Sequence, residues 1–332
     1  MKDQIKISVN HSTLDADAIG GFIIKNYDLQ LPIRCELMAR GVNDIYLLRS
    51  KNTKYAVRIL RSGSRTQDEI DYEMNLIKFF RESDFNAASP IHDKDGLFSS
   101  TLSAPEGKRY LTIFEWAKGK PLADSMDKEK LKKLGIYVSK MHLIAKDFTT
   151  IKRIKAITTN YILTNLEALI KILENDPKEA NFYEKLAYKT CSEFDKIKKE
   201  EVAYGATHSD IHPHNVFIND DDNEMTLIDW DLCGDDYLVK ELTSLTWRLK
   251  YLNSSQELID SYIEGYESIR PFSKYEKELS NLFFTMRHLF TMCGIASVIN
   301  IIGHNFIGYK HNLERYKEIV KEPAQKAGLI KN

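Results

Sequence analysis

Apolar residues recur along this chain with two different spacings, and the change from one to the other divides it. Between residues 33 and 60 the spacing is close to two. Ile33 to Ala39, Ile45 to Arg49 and Tyr55 to Leu60 read as three antiparallel strands, with Gly41 in the first turn and Ser50 to Thr53 in the second. Helical spacing flanks them. Asn10 to Asp15 offers N-cap residues for a helix over Leu14 to Tyr27 with Ile19, Phe22 and Ile23 on one face. A second helix, Thr66 to Ser83, turns Ile70, Met74, Ile77 and Phe80 inward and carries Glu69 and Glu73. Loops at Pro90–Ile91 and Gly96–Leu97 precede strands near Leu97–Ser103 and Arg109–Trp116. Beyond Gly119 helical spacing dominates: Asp127–Ile144, a long stretch Tyr161–Lys199, Lys240–Tyr251, Ser255–Tyr266, Lys274–Ile302 and Asn312–Lys321. The pattern predicts an α+β chain of two lobes, residues 1–118 with an antiparallel sheet plus helix and residues 119–332 mainly helical.

Composition narrows the classes. The 332 residues are 43% hydrophobic and 29% charged, as in ordinary globular chains. A formal net charge of −1 supplies no global field for nucleic acid, so no nucleic-acid partner is expected. No uninterrupted apolar run reaches the ~18 residues of a membrane span. Met1 to Lys6 lacks the apolar core of a signal peptide. Cys35, Cys191, Cys233 and Cys293 form no CxxC pair, which argues against a disulfide framework or zinc site. A cytoplasmic protein without a membrane partner is expected.

Chemistry concentrates in residues 205–231. His208-x-Asp210 is followed by Asn215, a short strand Val216 to Ile218, an acidic turn from Asn219 to Glu224, and a second strand, Met225 to Ile228, ending on Asp229-Trp230-Asp231. Such a hairpin brings Asp210, Asn215 and Asp229 toward one point. Asn and Asp are hard oxygen ligands suited to Mg²⁺, which binds few protein carboxylates together with phosphate oxygens. The remaining Asp is placed to receive a hydroxyl proton, so the set reads as the catalytic half of a phosphoryl-transfer site. Two rival readings stand beside it. His208-x-Asp210-x-His212-x-His214 resembles the ligand cluster of a transition-metal hydrolase. Pro213 interrupts that segment, and no downstream cluster completes it. The other rival is a polar loop without chemistry.

These residues resemble the aminoglycoside phosphotransferase and choline kinase family, small-molecule relatives of the protein kinases, over nearly the whole chain. His208-Ser-Asp210-x4-Asn215 is similar to the family's catalytic loop and Ile228 to Asp231 to its metal-binding motif. Within the family, Gly41-Val-Asn-Asp-x-Tyr46, Tyr55 to Arg58, Pro105 to Arg109 and Asp231 to Gly234 resemble a bacterial branch with stress-response kinases, type II homoserine kinase-like proteins and antibiotic kinases. The resemblance implies a two-lobed protein-kinase-like fold and Mg²⁺-dependent transfer of the γ-phosphoryl of ATP, or GTP, to a hydroxyl.

Roles follow from it. Asp210 would be catalytic, Asn215 and Asp229 metal-binding, and His208 and Asp231 supporting. Arg58 would take the place of the usual phosphate-reaching lysine, with Glu73 as its helix partner and Glu69 the competitor. Main-chain groups of Val42 and Asn43 would cover phosphates, and those of Glu115 and Ala117 would meet the adenine edge. His142 would be structural. His212, His214, Asp235 and Asp236 would face the acceptor, with Asp220 to Asp222 as a further source of acidic charge. The expected acceptor is a small polar hydroxylated molecule, an antibiotic first. Alternatives are a homoserine- or choline-like metabolite, whose carboxylate in the homoserine case would want Arg248 or Arg287, or a Ser/Thr protein. A further alternative is a nucleotide-binding pseudokinase scaffold.

Overall fold

The computed structural model describes residues 7–156, 159–219, 221–302 and 309–331. The chain divides into two compact units. One comprises residues up to Lys78 together with Ala88–Ala117; the other comprises Phe79–Ala87 and everything from Lys118 onward.

The first unit begins with α1 (Ala16–Asn26), capped by the Asp15 carboxylate accepting from the Ala18 N–H at 2.8 Å. Strands β1 (Ile33–Arg40), β2 (Asp44–Ser50) and β3 (Thr53–Ile59) follow, then α2 (Gln67–Glu82), β4 (Pro90–Ile91), β5 (Ser100–Ala104) and β6 (Gly107–Glu115). The sheet runs β1-β2-β3-β6-β4, with β5 also on β6. Alternation does the sorting. Tyr46, Leu48, Val57, Ile59, Leu111 and Ile113 all bury on one face, against Ile19, Ile23 and Tyr27 of the α1 segment. The softer sequence cues meet here. Arg109, fully buried, donates to Asp44 Oδ2 at 2.8 Å and to Ser12 O at 2.9 Å. The Glu106 carboxylate accepts from Ser12 N and Oγ. Asp44 thus anchors the base of the β1–β2 turn on β6.

The second unit contains β7 (Lys120–Pro121), α3 (Lys128–Ile144), α4 (Thr159–Ile172), α5 (Pro177–Phe194), β8 (Tyr204–Thr207), β9 (Val216–Ile218), β10 (Met225–Leu227), β11 (Gly234–Tyr237), α6 (Leu238–Tyr251), α7 (Gln256–Glu267), α8 (Lys274–Ile302) and α9 (Tyr309–Lys326). The long helical stretch expected over 161–199 consists of two helices, α4 and α5. Asp176 accepts from the Glu179 N–H and Pro177 opens α5, so capping chemistry restarts the helix. Gly119 precedes β7 with φ +85°, and a Cβ there would lie 1.9 Å from Ile218 O, so only glycine lets β7 pair with β9.

Helix α8 is long and apolar enough to cross a membrane by length and composition, contrary to expectation, because scattered polar residues do not outweigh its Phe, Met, Ile and Val. Its apolar window is 78% buried inside this unit, where Phe283, Leu289 and Met292 pack with α4, α5 and α6. It is a core helix.

His288 on α8 is fully buried. Trp247 Nε1 donates to its Nδ1 at 3.3 Å, so the proton sits on Nε2, which faces Tyr183 Oη at 3.1 Å. Burial pushes its pKa down to about 3. The unfolded chain takes up this proton below the ordinary histidine value of about 6.5, whereas the folded chain does not. The stabilising effect of the neutral ring is therefore full above that value and is lost as pH falls toward 3. Urea unfolding of the wild type should lose stability through this window at up to about 1.4 kcal/mol per pH unit more steeply than that of His288→Gln. Equal slopes would remove His288 from the acid response.

Candidate active site

In the N-terminal unit, Arg58 on β3 lies opposite Thr112 of β6 and is buried. Its Nη2 donates to Glu73 Oε2 at 2.8 Å and its Nε to Thr112 Oγ1 at 3.3 Å. Glu69 is occupied otherwise. Its carboxylate accepts from Thr66 N and Oγ1 at 2.6 and 2.8 Å, capping α2. Glu73 is therefore the partner of Arg58. Arg65, absent from the sequence reading, also donates to Glu73 Oε2 and to Glu69 O. Burial pushes the Glu73 carboxyl up, but Arg58 and then Arg65 outweigh it and hold the group below the usual carboxylate range.

The β1–β2 turn is tight, with Gly41 N–H donating to Asn43 O at 3.0 Å and Val42 exposed. At the other end of the sheet the Glu115 N–H donates to Ser89 O at 2.8 Å. What Glu115 can offer an adenine edge is its carbonyl, leaving the donor role to Ala117.

In the C-terminal unit the β9–β10 hairpin pairs Val216 with Leu227 and Ile218 with Met225. Its open end is closed by the Ile228 N–H donating to Asn215 O at 3.0 Å, which brings Asp229 beside Asn215. Asn215 Nδ2 donates to Asp210 O at 3.1 Å, so its Oδ1 remains as an oxygen donor. Asp229 is exposed, with φ +62°. One amide oxygen and one exposed carboxylate suit Mg²⁺, which retains waters and takes few protein ligands.

Both His208 nitrogens are committed. Nδ1 accepts from the Asp210 N–H at 3.2 Å and Nε2 donates to Ile228 O at 2.9 Å, while the ring lies 4.5 Å from that of Trp230. With no lone pair left, His208 is a brace between catalytic loop and hairpin and not a metal ligand. Among the described residues no group of three or more His, Cys, Asp or Glu is arranged to hold a metal ion.

The brace is completed by a residue sequence reasoning missed. Glu241 on α6 is buried, and its Oε2 accepts from the His208 and Ser209 N–H groups at 2.6 and 3.0 Å. Ser209 adopts φ +66°, a conformation costing a non-glycine residue roughly 1 kcal/mol or more. Behind Glu241, His142 Nε2 stands 3.8 Å away and its Nδ1 lies 2.7 Å from Tyr266 Oη. That agrees with a structural His142. Nothing in the sequence singles out Glu241, which reads as an ordinary first-turn helix acid. Replacing it with glutamine should keep the chain folded and leave one amide oxygen for both N–H groups, but without the negative charge that strengthens those bonds. The loop would loosen, and kcat should fall by roughly tenfold or more with little change in nucleotide affinity. Unaltered kcat would confine Glu241 to stability.

Asp210 itself pairs with Arg287 of α8, whose Nη2 donates to Oδ1 at 2.5 Å and whose Nη1 donates to Ser209 O at 3.1 Å. His212 Nε2 lies 3.7 Å from Asp210 Oδ2. Burial would raise the Asp210 pKa, yet Arg287 and then His212 lower it to about 2. The carboxylate is anionic at neutral pH. His212 is held down to about 4, chiefly by burial and against the pull of Asp210.

The expected acidic lining is not free to act as one. Asp235 lies buried in β11 with Arg153 Nε donating to it at 2.5 Å, and Asp236, also buried, is paired with Lys240. Their polar sequence hid a strand because these cations neutralise it. Burial raises the Asp236 pKa despite Lys240. Asp221 and Asp222 are exposed, and Asp222 bonds within its own turn to Asn219 and the Glu224 N–H; Asp220 lies outside the described residues. His214 is exposed beside His212.

Residues 38–277 match the model of the phosphotransferase enzyme family. The chain belongs to this family. As a family member it is a phosphotransferase, and its α+β architecture is the protein-kinase-like one. An uncharacterised protein of Synechocystis is 26% identical over 268 residues, covering 80% of this chain and 74% of its own. The homoserine kinase of Neisseria meningitidis serogroup B is 23% identical over 276 residues, covering 80% and 84%. An amicoumacin kinase structure, solved with AMP-PNP and Ca²⁺, aligns over 93% of this chain and 94% of its own at TM-score 0.76 and 18% identity.

Proposed function

We propose that this phosphotransferase moves the γ-phosphoryl group of ATP, or GTP, to a hydroxyl of a small polar molecule with Mg²⁺. The observation that carries the reading is the hairpin that gathers Asp210, Asn215 and Asp229. The acceptor oxygen bonds to the γ-phosphorus as the bond to the bridging oxygen breaks, giving a phosphomonoester, a nucleoside diphosphate and a proton. Asp210 orients the hydroxyl through a hydrogen bond. With a pKa of about 2 it is a weak base, so it takes the proton only late, as befits a loose transition state. Asn215 and Asp229, supported by Asp231, would hold the metal, which neutralises charge on the phosphates. Residues 1–118, through Arg58, Glu73, Val42, Asn43, Glu115 and Ala117, would bind the nucleotide. Residues 119–332 would supply catalysis and the acceptor site.

The fold shared with an amicoumacin kinase supports an antibiotic acceptor, and the homoserine kinase relative supports a metabolite. The cations around Asp210 favour the metabolite. Only β11 separates Asp231 from α6, which leaves no long activation segment for a protein substrate. The intact catalytic set argues against a pseudokinase scaffold. The deciding experiment is acceptor-dependent nucleoside diphosphate release with Mg²⁺, using ATP and GTP. Failure to bind either nucleotide would overturn the reading.

A further inference from the structure

Asp210 is flanked by basic side chains, and their placement bears on the acceptor. Arg287 and His212 face this carboxylate, and two further basic side chains stand near His212. Arg287 pairs with Asp210, His212 stands 3.7 Å away, and Arg248, Arg287 and His214 all lie near enough to His212 to disfavour its protonation. Two guanidinium groups, those of Arg287 and Arg248, stand on this side of the site. Arg248 rests over the Tyr251 ring at 5.8 Å, and no carboxylate pairs with it among the described residues. Arg287 is buried over the Phe290 ring at 5.4 Å, and its Nε has no hydrogen-bond partner among them. A buried guanidinium N–H without an acceptor is costly, and a ligand oxygen at Nε would relieve that cost. The carboxylates that would have welcomed amines, Asp235 and Asp236, are already paired with Arg153 and Lys240.

We infer that the acceptor is a small alcohol carrying a carboxylate, which Arg287 and Arg248 bind while Asp210 receives its hydroxyl. This rests on the phosphotransfer reading above. Arg287 is the specificity-determining residue, because one planar fork faces both Asp210 and the incoming carboxylate. That geometry sets the hydroxyl a short chain away from the acid. A polyamine at the same place would meet two guanidinium groups at close range.

The test uses the full chain with Mg²⁺-ATP and matched acceptors: L-homoserine against L-homoserinamide, D-glycerate against glycerol, and kanamycin as the polyamine. Diphosphate release should favour a carboxylate over its uncharged-acid counterpart by roughly 100-fold in kcat/KM. Arg248→Gln should raise KM for that carboxylate by roughly tenfold or more and change the counterpart much less, with Arg248→Lys intermediate; Arg287→Gln, which also loses the bond to Asp210, should raise the same KM and in addition lower kcat on both. The counterpart and the lysine variant separate lost recognition from lost folding. Preference for a counterpart or for kanamycin, an equal loss on both members of a pair in Arg248→Gln, or nucleotide binding without turnover of either carboxylate would overturn the inference and leave the phosphotransfer reading standing. Absence of nucleotide binding would instead remove that reading and the inference with it.

Discussion

Asp210→Asn should lower acceptor-dependent turnover by about 10²–10⁴-fold while nucleotide affinity stays near that of the wild type. Asparagine keeps the shape of the side chain and an oxygen for Arg287, so the loop geometry should survive. It loses the negative charge that orients the hydroxyl and the site that finally takes its proton. The effect falls on kcat because those interactions strengthen only as the bond to phosphorus forms. Diphosphate release and nucleotide binding, measured on the same preparation, separate this from unfolding. Turnover at the wild-type rate would mean that another group is the base. His212 is then the nearest candidate, since it is neutral and faces the same point.

The legible part of the site is local. Asn215 and Asp229 flank one hairpin and Asp210 lies in the loop leading into it, so sequence spacing alone brings them together, and period-two alternation marks β1 to β3. What stayed hidden is long-range. Glu241 reaches the loop from 33 residues downstream and Arg287 from 77, and both are helix residues whose charge looks like that of any solvated face. Arg287 was noted as a possible carboxylate binder, yet its bond to Asp210 has no sequence signature. Asp235 and Asp236 misled for the converse reason. Adjacent carboxylates suggest an acidic surface, and only the fold supplies the Arg153 and Lys240 that neutralise them. Glu69 and Glu73 could be told apart only by geometry: one turn of helix decides which caps α2 and which meets Arg58.

That geometry makes Glu73 the most sensitive residue of the N-terminal unit. Its fully buried carboxylate lies between two guanidinium groups, Arg58 and Arg65. Glu73→Gln should lower stability by about 3–5 kcal/mol, because it leaves two like charges in a site with little water. Amide exchange should show the loss as faster opening of β3 and β6, while α5 and α8 of the other unit keep their protection. Adding Arg65→Gln should recover part of the loss, since it removes one of the opposed charges; simple addition of the two effects would mean that the arginines do not interact through Glu73. Nucleotide affinity supplies the second readout. If Glu73 holds the Arg58 fork in place for phosphate, affinity should remain low in the double variant even where stability returns. Recovery of both together would show that Glu73 serves the fold alone.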